Sequence, residues 1–236
     1  PKILVDLHKM TEGHLDATIM VAYLEQQGLT DEDLLAATAK ADRILNEIEA
    51  MVAKSSSYVN IAYTPTDLYR LKAEGKKAIM LGIENGYAIG RDIKNVERFR
   101  RRGVVYMTLC HNGNNQLCGS CRFNDEGLGV NAFGEEVIHE MNRVGMMVDI
   151  SHAGDQTFYD ALDISTKPIV ASHSSSRALC NHPRNLTDEQ LKALAIKGGV
   201  AQVTLYNGFL KEEGQATIQD AIAHLNHMVD VMGIEH

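Results

Sequence analysis

The chain of 236 residues carries 23 Lys and Arg against 31 Asp and Glu, a formal charge of −8, with 44% hydrophobic residues. That apolar content can bury one sizeable core and excludes a disordered chain. No basic run exceeds residues 100–102 and no apolar stretch approaches the roughly 18 residues of a membrane span, which argues against a nucleic-acid surface or a spanning helix and for a small-molecule partner.

In chain order, residues 3–8 have the apolar look of a strand, but His8 is followed by Lys9-Met10, and a thioether is a poor zinc ligand. His14-Leu-Asp16 has metal-binding letters, yet it precedes a strand instead of ending one. β-Branched and apolar runs predict strands at 17–23, 77–83, 104–109, 146–150, 168–171 and 200–205. Most are too continuously apolar for a half-solvated antiparallel face, so they are expected to be parallel and covered on both sides. Thr30 precedes Asp31-Glu32-Asp33 and opens a long helix whose Leu34, Leu45, Ile48 and Val52 share one face, ending near Ser55. Gly75, Gly103 and Gly145 each close a helical pattern before a strand. Thr187-Asp-Glu-Gln190 is a capping box for a helix that Gly198 stops, and Thr217 caps a last helix closed by Gly233. Six strand-helix units follow without a linker, so residues 1–236 read as one α/β domain.

Four cysteines are too few for a disulfide scaffold, and Cys118-Gly-Ser-Cys121 has no second CxxC or His pair to complete a zinc site, so it reads as a loop. This favours a reducing compartment such as the cytoplasm, while the absence of an initiating Met leaves an exported parent open. His139, His224 and His227 read as partly exposed helix residues, His182 as a group beside Arg184, residues 97–102 as a solvated helix face, and most methionines, Met147 among them, as core filling.

Chemistry gathers where the predicted strands end. Glu84 follows Ile79-Met-Leu-Gly-Ile83, His111 follows Cys110, His152 follows Asp149-Ile-Ser151, His173 follows Ser172, and Tyr206 follows Thr204-Leu205. In a parallel barrel such tips converge on one opening. One carboxylate and two imidazoles suit a divalent cation such as zinc, whose open coordination position activates water, so the pattern points to hydrolysis.

The strings Gly82-Ile-Glu84-Asn-Gly86, Thr108-Leu-Cys-His111-Asn, Asn131-Ala-Phe-Gly134, Asp149-Ile-Ser-His152, Ser172-His-Ser-Ser175 and Pro183-Arg-Asn185 occur in an order and spacing that resembles the membrane dipeptidase (renal dipeptidase) family of the amidohydrolase superfamily. The resemblance implies a TIM (β/α)8 barrel, of which this chain would hold about six of eight strands, with two zinc ions and hydrolysis of dipeptides, including those with a C-terminal D-residue. It further implies that Glu84 bridges the two zinc ions and that His152 and His173 bind the second of them. By the same resemblance His111 contacts the scissile carbonyl and stabilises the oxyanion, Arg184 clamps the substrate carboxylate, and Tyr206 lines the substrate pocket. Family enzymes are commonly homodimers. The family pattern also has a His-x-Asp pair at the tip of its first strand and an Asp after its last; neither is in this chain, and they are expected before Pro1 and after His236. Two alternatives stand beside the dipeptidase reading: a non-catalytic homologue that binds metal and amino-acid-like ligands, and an amidohydrolase acting on another amide or a lactone.

Overall fold

Capped helices alternate with short apolar strands, and in the computed structural model, which describes residues 4–236, they build an α/β fold whose parallel sheet curls into part of a TIM barrel. In chain order the elements are α1 (Leu7–Glu12), β1 (Ala17–Tyr23), α2 (Asp31–Lys54), β2 (Val59–Ile61), α3 (Pro65–Ala73), β3 (Lys77–Glu84), α4 (Lys94–Arg102), β4 (Val104–Thr108) and α5 (Ala132–Val144). They continue with β5 (Met147–Asp149), α6 (Asp155–Ile164), β6 (Val170–Ala171), α7 (Asp188–Ile196), β7 (Val200–Ala201), α8 (Asn207–Leu210) and α9 (Ile218–Met232). Six strands pair in parallel in the order β1-β3-β4-β5-β6-β7.

Each local choice has a chemical cause. Thr30, Thr64, Thr187 and Thr217 all form capping boxes, occupying backbone N–H groups that a helix start would otherwise leave open. On α2, Leu34, Ala37, Ala41, Leu45, Ile48 and Val52 recur every three or four residues and are buried against the sheet. On β3, Leu81 and Ile83 face the helices and are fully buried, while Gly82, on the opposite face, leaves room inside the barrel. A Cβ there would sit 3.0 Å from Ile19 and Val21 and 3.2 Å from the Tyr106 ring.

Several expectations are corrected. Residues 7–12 are helical where a strand was expected over 3–8, because the Asp6 carboxylate caps the Lys9 N–H and starts a helix; Ile3 lies outside the described residues. The strand β2 was missed, being too short to show a period; it pairs with residues 77–79 of β3, and β4 pairs with residues 81–84. The last three barrel strands are shorter than their apolar runs. Gln202 still donates to Ala171 O at 2.9 Å, but Leu205 is exposed. His224 is buried, not surface-facing: its Nδ1 accepts from Ser176 N at 3.0 Å and its Nε2 lies 3.1 Å from Leu210 O. Met147, read as core, is exposed. The face at 97–102 is only partly solvated, since Arg102 reaches across to α2 and forks onto Glu49 at 2.8 and 2.9 Å. All four cysteines are free and buried; Cys118 lies in the loop after β4 and Cys121 opens a short 3-10 helix over Cys121–Glu126.

Phe99 is fully buried under α4, whereas Tyr69 on α3 is 77% exposed. Phe99→Ala is expected to cost about 3–5 kcal/mol of unfolding free energy in urea denaturation, and Tyr69→Ala to stay within about 0.5 kcal/mol; equal losses would contradict this packing.

Candidate active site

The strand tips do converge. Glu84 ends β3, His111 lies three residues beyond β4, His152 three beyond β5 and His173 two beyond β6. The Oε1 atom of Glu84 is 3.3 Å from His152 Nε2 and 3.4 Å from His173 Nε2, and the two imidazole nitrogens are 3.0 Å apart. Zinc bonds of about 2.0–2.1 Å at tetrahedral angles put neighbouring ligand atoms about 3.3–3.4 Å apart. The three atoms therefore already have the spacing of one tetrahedral face. His111 Nε2 is also near Glu84, at 3.7 Å, and Glu84, His111 and His152 can offer ligand atoms within 4.8 Å of one another. The set containing His173 is the tighter one, and both of its rings are anchored from behind: His152 Nδ1 lies 3.1 Å from Asn112 Oδ1, and His173 Nδ1 2.7 Å from Ser172 Oγ. No hydrogen bond to either His111 ring nitrogen occurs among the described residues; the Tyr23 ring packs edge-on against it, centroids 4.7 Å apart.

Electrostatics at the cluster pull in opposite directions. Burial works against a charged Glu84, but the hydrogen bonds and charges of His152 and His173 outweigh it and hold the carboxyl well below the ordinary range. Burial in turn opposes a proton on His152, pushing it down to about 3, and lowers His111 as well. A carboxylate oxygen and two imidazole nitrogens crowded within 3.0–3.4 Å are electron-pair donors that one divalent cation can satisfy together. The donor set and its spacing thus fit a zinc-like ion.

Local backbone strain helps to aim the ligands. Asn85 and His152 both have positive φ, 94° and 72°, a conformation side chains disfavour and which persists only where the surroundings enforce it. The buried Asn85 amide is saturated, donating to Leu24 O and Gln26 Oε1 at 3.1 Å and accepting from Tyr87 N and Asn115 Nδ2. It pins the turn after Glu84 to the tip of β1.

Arg184 is buried, yet no carboxylate pairs with it among the described residues. Its Nη2 donates to His173 O at 3.1 Å, its guanidinium lies over Phe209 at 5.3 Å, and its Nε has no partner. Burial lowers its pKa, the mark of a cation short of a counter-charge. His182 accepts from Arg184 N through Nδ1 at 3.1 Å and so shapes that loop. Tyr206 does not join the cluster; it is 64% exposed on the rim, its ring against Phe209. Below Glu84 and His173 the barrel interior opens into a cavity of ≈ 520 Å³ lined also by Ile19, Met80, Tyr106 and Gln202. His14 and Asp16 contribute nothing there, Asp16 pairing with Lys72 at 2.7 Å.

Sequence reasoning gave no role to Asp149, Ser172 or Asn112, the groups behind the ligands. The one available signal was a carboxylate set between the apolar Val148 and Ile150 on a covered strand, where solvent cannot account for it.

The family model described as membrane dipeptidase (peptidase family M19) matches residues 1–236. An uncharacterized dipeptidase of Schizosaccharomyces pombe is 34% identical over 98% of the chain and 58% of its own length, so the chain spans little more than half of that relative. Among solved structures, an amidohydrolase from Pseudomonas aeruginosa superposes with a TM-score of 0.85 at 30% identity, covering 96% of this chain and 66% of the other. A metallo peptidase from Rhodobacter sphaeroides, liganded with a phosphinate mimic of the dipeptide L-Ala-D-Ala, superposes at 0.88 with 22% identity, covering 97% and 74%, and shares the fold.

Zinc at about 100 times its Kd is expected to raise the unfolding free energy by about 2.7 kcal/mol, and Glu84→Gln to abolish the gain; an undiminished gain in the variant would place the ion elsewhere. The metal-free protein should lose stability on acidification. With His152 at about 3 against its ordinary 6.5, the unfolded chain binds the extra proton in that window, so stability falls from about pH 6.5 downward. Denaturation at pH 7 and 5 measures it, and His152→Asn should flatten the slope.

Proposed function

The chain belongs to the membrane dipeptidase family, and from that membership and the site geometry we propose that it carries the greater part of a zinc-dependent dipeptidase centre. The observation that carries the proposal is the 3.0–3.4 Å triangle of Glu84, His152 and His173 at the barrel mouth. Those three residues would hold one zinc ion, and Glu84 would also serve a second. When bound, the metal supplies a Lewis acid and lowers the pKa of water for attack on a peptide carbonyl.

The remaining work falls to the chain's own side chains. Burial keeps His111 neutral, so it brings one N–H to a developing oxyanion beside Glu84. Arg184 waits as a buried cation with an unused Nε; a dipeptide's C-terminal carboxylate supplies the missing counter-charge and fixes the substrate's direction. Tyr206, on the rim with Phe209, bounds the pocket on the outside. Tolerance of a C-terminal D-residue fits a carboxylate held apart from the side chain it bears. An amide or lactone substrate without a free carboxylate would leave Arg184 uncompensated, which favours the dipeptide over those alternatives.

In the whole protein with zinc, hydrolysis of L,L and L,D dipeptides is expected, with Arg184→Ala raising KM about 10–100-fold, the worth of a charged hydrogen bond. Dipeptide amides, which lack the carboxylate, should be poor substrates for both forms. A panel of dipeptides left untouched, or a KM unmoved by Arg184→Ala, would overturn the assignment.

A further inference from the structure

The Asp149 carboxylate at the end of β5 is fully buried, and among the described residues its hydrogen bonds go to backbone and hydroxyl groups rather than to a ligand atom of the cluster. It accepts four hydrogen bonds: Ser151 N and Ser172 N reach Oδ1 at 3.1 and 2.9 Å, while the Thr108 and Ser172 hydroxyls reach Oδ2 at 2.6 and 2.7 Å. Strands β4, β5 and the tip of β6 are thereby tied to one anion.

Donor accounting then fixes a proton two bonds away. Ser172 has a single hydroxyl hydrogen, and it is donated to Asp149 Oδ2 at 2.7 Å. With that hydrogen committed, Ser172 Oγ can only accept from its other neighbours, Ser151 Oγ at 3.4 Å and His173 Nδ1 at 2.7 Å, which makes Nδ1 the donor. A neutral imidazole protonated at Nδ1 has its lone pair at Nε2, the atom 3.4 Å from Glu84 and 3.0 Å from His152. Ser151 holds the same residue from the backbone side, its Oγ accepting from His173 N at 3.0 Å.

We propose that Asp149 and Ser172 are positioning residues that set the tautomer of His173, presenting its Nε2 lone pair to a cation before any cation arrives. The inference rests on the metal-site reading above. Buried carboxylates that orient a ligand histidine through a hydrogen bond commonly contribute 10–100-fold to metal affinity; here the carboxylate acts through an intervening hydroxyl. Asp149→Asn would undo the polarity, since an amide N–H can donate to Ser172 Oγ and release its hydroxyl hydrogen toward His173 Nδ1.

The direct test is 15N NMR of the metal-free wild-type protein at pH 8, with His173 assigned by comparison with His173→Asn. A neutral ring protonated at Nδ1 is the expected result, and a ring protonated at Nε2 overturns the proposal with no variant needed. Ser172→Ala should shift His173 toward the Nε2-protonated form and weaken zinc binding, measured by competition with a chromophoric chelator, about 10–100-fold. Ser172→Thr, which keeps the hydroxyl, should restore both. Ser172→Ala with unchanged tautomer and affinity would also overturn it. Failure of the wild-type protein to bind zinc at all, with His173 protonated at Nδ1, would instead sink the metal-site reading and leave the tautomer relay standing.

Discussion

Three electron-pair donors held face to face in a mostly buried setting constitute the constraint around which the rest of this structure is arranged. Glu84 Oε1, His152 Nε2 and His173 Nε2 stand 3.0–3.4 Å apart, a spacing that is unfavourable for bare lone pairs and suited to a shared cation. Holding them there requires help from well outside the cluster. Asn85 and His152 keep disfavoured positive φ values, the Asn85 amide is fully hydrogen-bonded, and Asp149 gathers donors from three strands. The barrel supplies rigidity, since parallel strands with helices on their outer face fix the directions of their tips.

A second electrostatic imbalance lies beside the first. Arg184 is a buried cation without a carboxylate partner among the described residues, placed over Phe209 and hydrogen-bonded to the backbone of His173. The two features call for opposite charges: a cation suits the triad, and an anionic group suits Arg184. The two are linked through His173, whose carbonyl accepts from Arg184 Nη2 at 3.1 Å.

Much of this was legible in the sequence, for definite reasons. Glu84, His111, His152 and His173 each follow an apolar run, and parallel topology alone brings such positions together; Thr30, Thr187 and Thr217 announce helix starts by chemistry that needs no tertiary contact. What escaped depends on the third dimension. The three residues of β2 are too few to display a period, and His224 looks like a surface histidine until Ser176 N and Leu210 O are seen to claim both of its nitrogens. The run at residues 100–102 looks solvated until Arg102 meets Glu49 of α2. Asp149 and Ser172 stand in the motifs beside the ligands, but their role could not be read there because a hydrogen-bond relay has no sequence period.

The central claim is that one cation sits on the triangle of Glu84, His152 and His173. Anomalous diffraction at the zinc absorption edge from zinc-soaked crystals tests it most directly. The account predicts a peak within bonding distance, about 2.0–2.2 Å, of Glu84 Oε1 and both Nε2 atoms. A peak bound by Cys118 and Cys121 instead, or no peak at the triangle under saturating zinc, would contradict it.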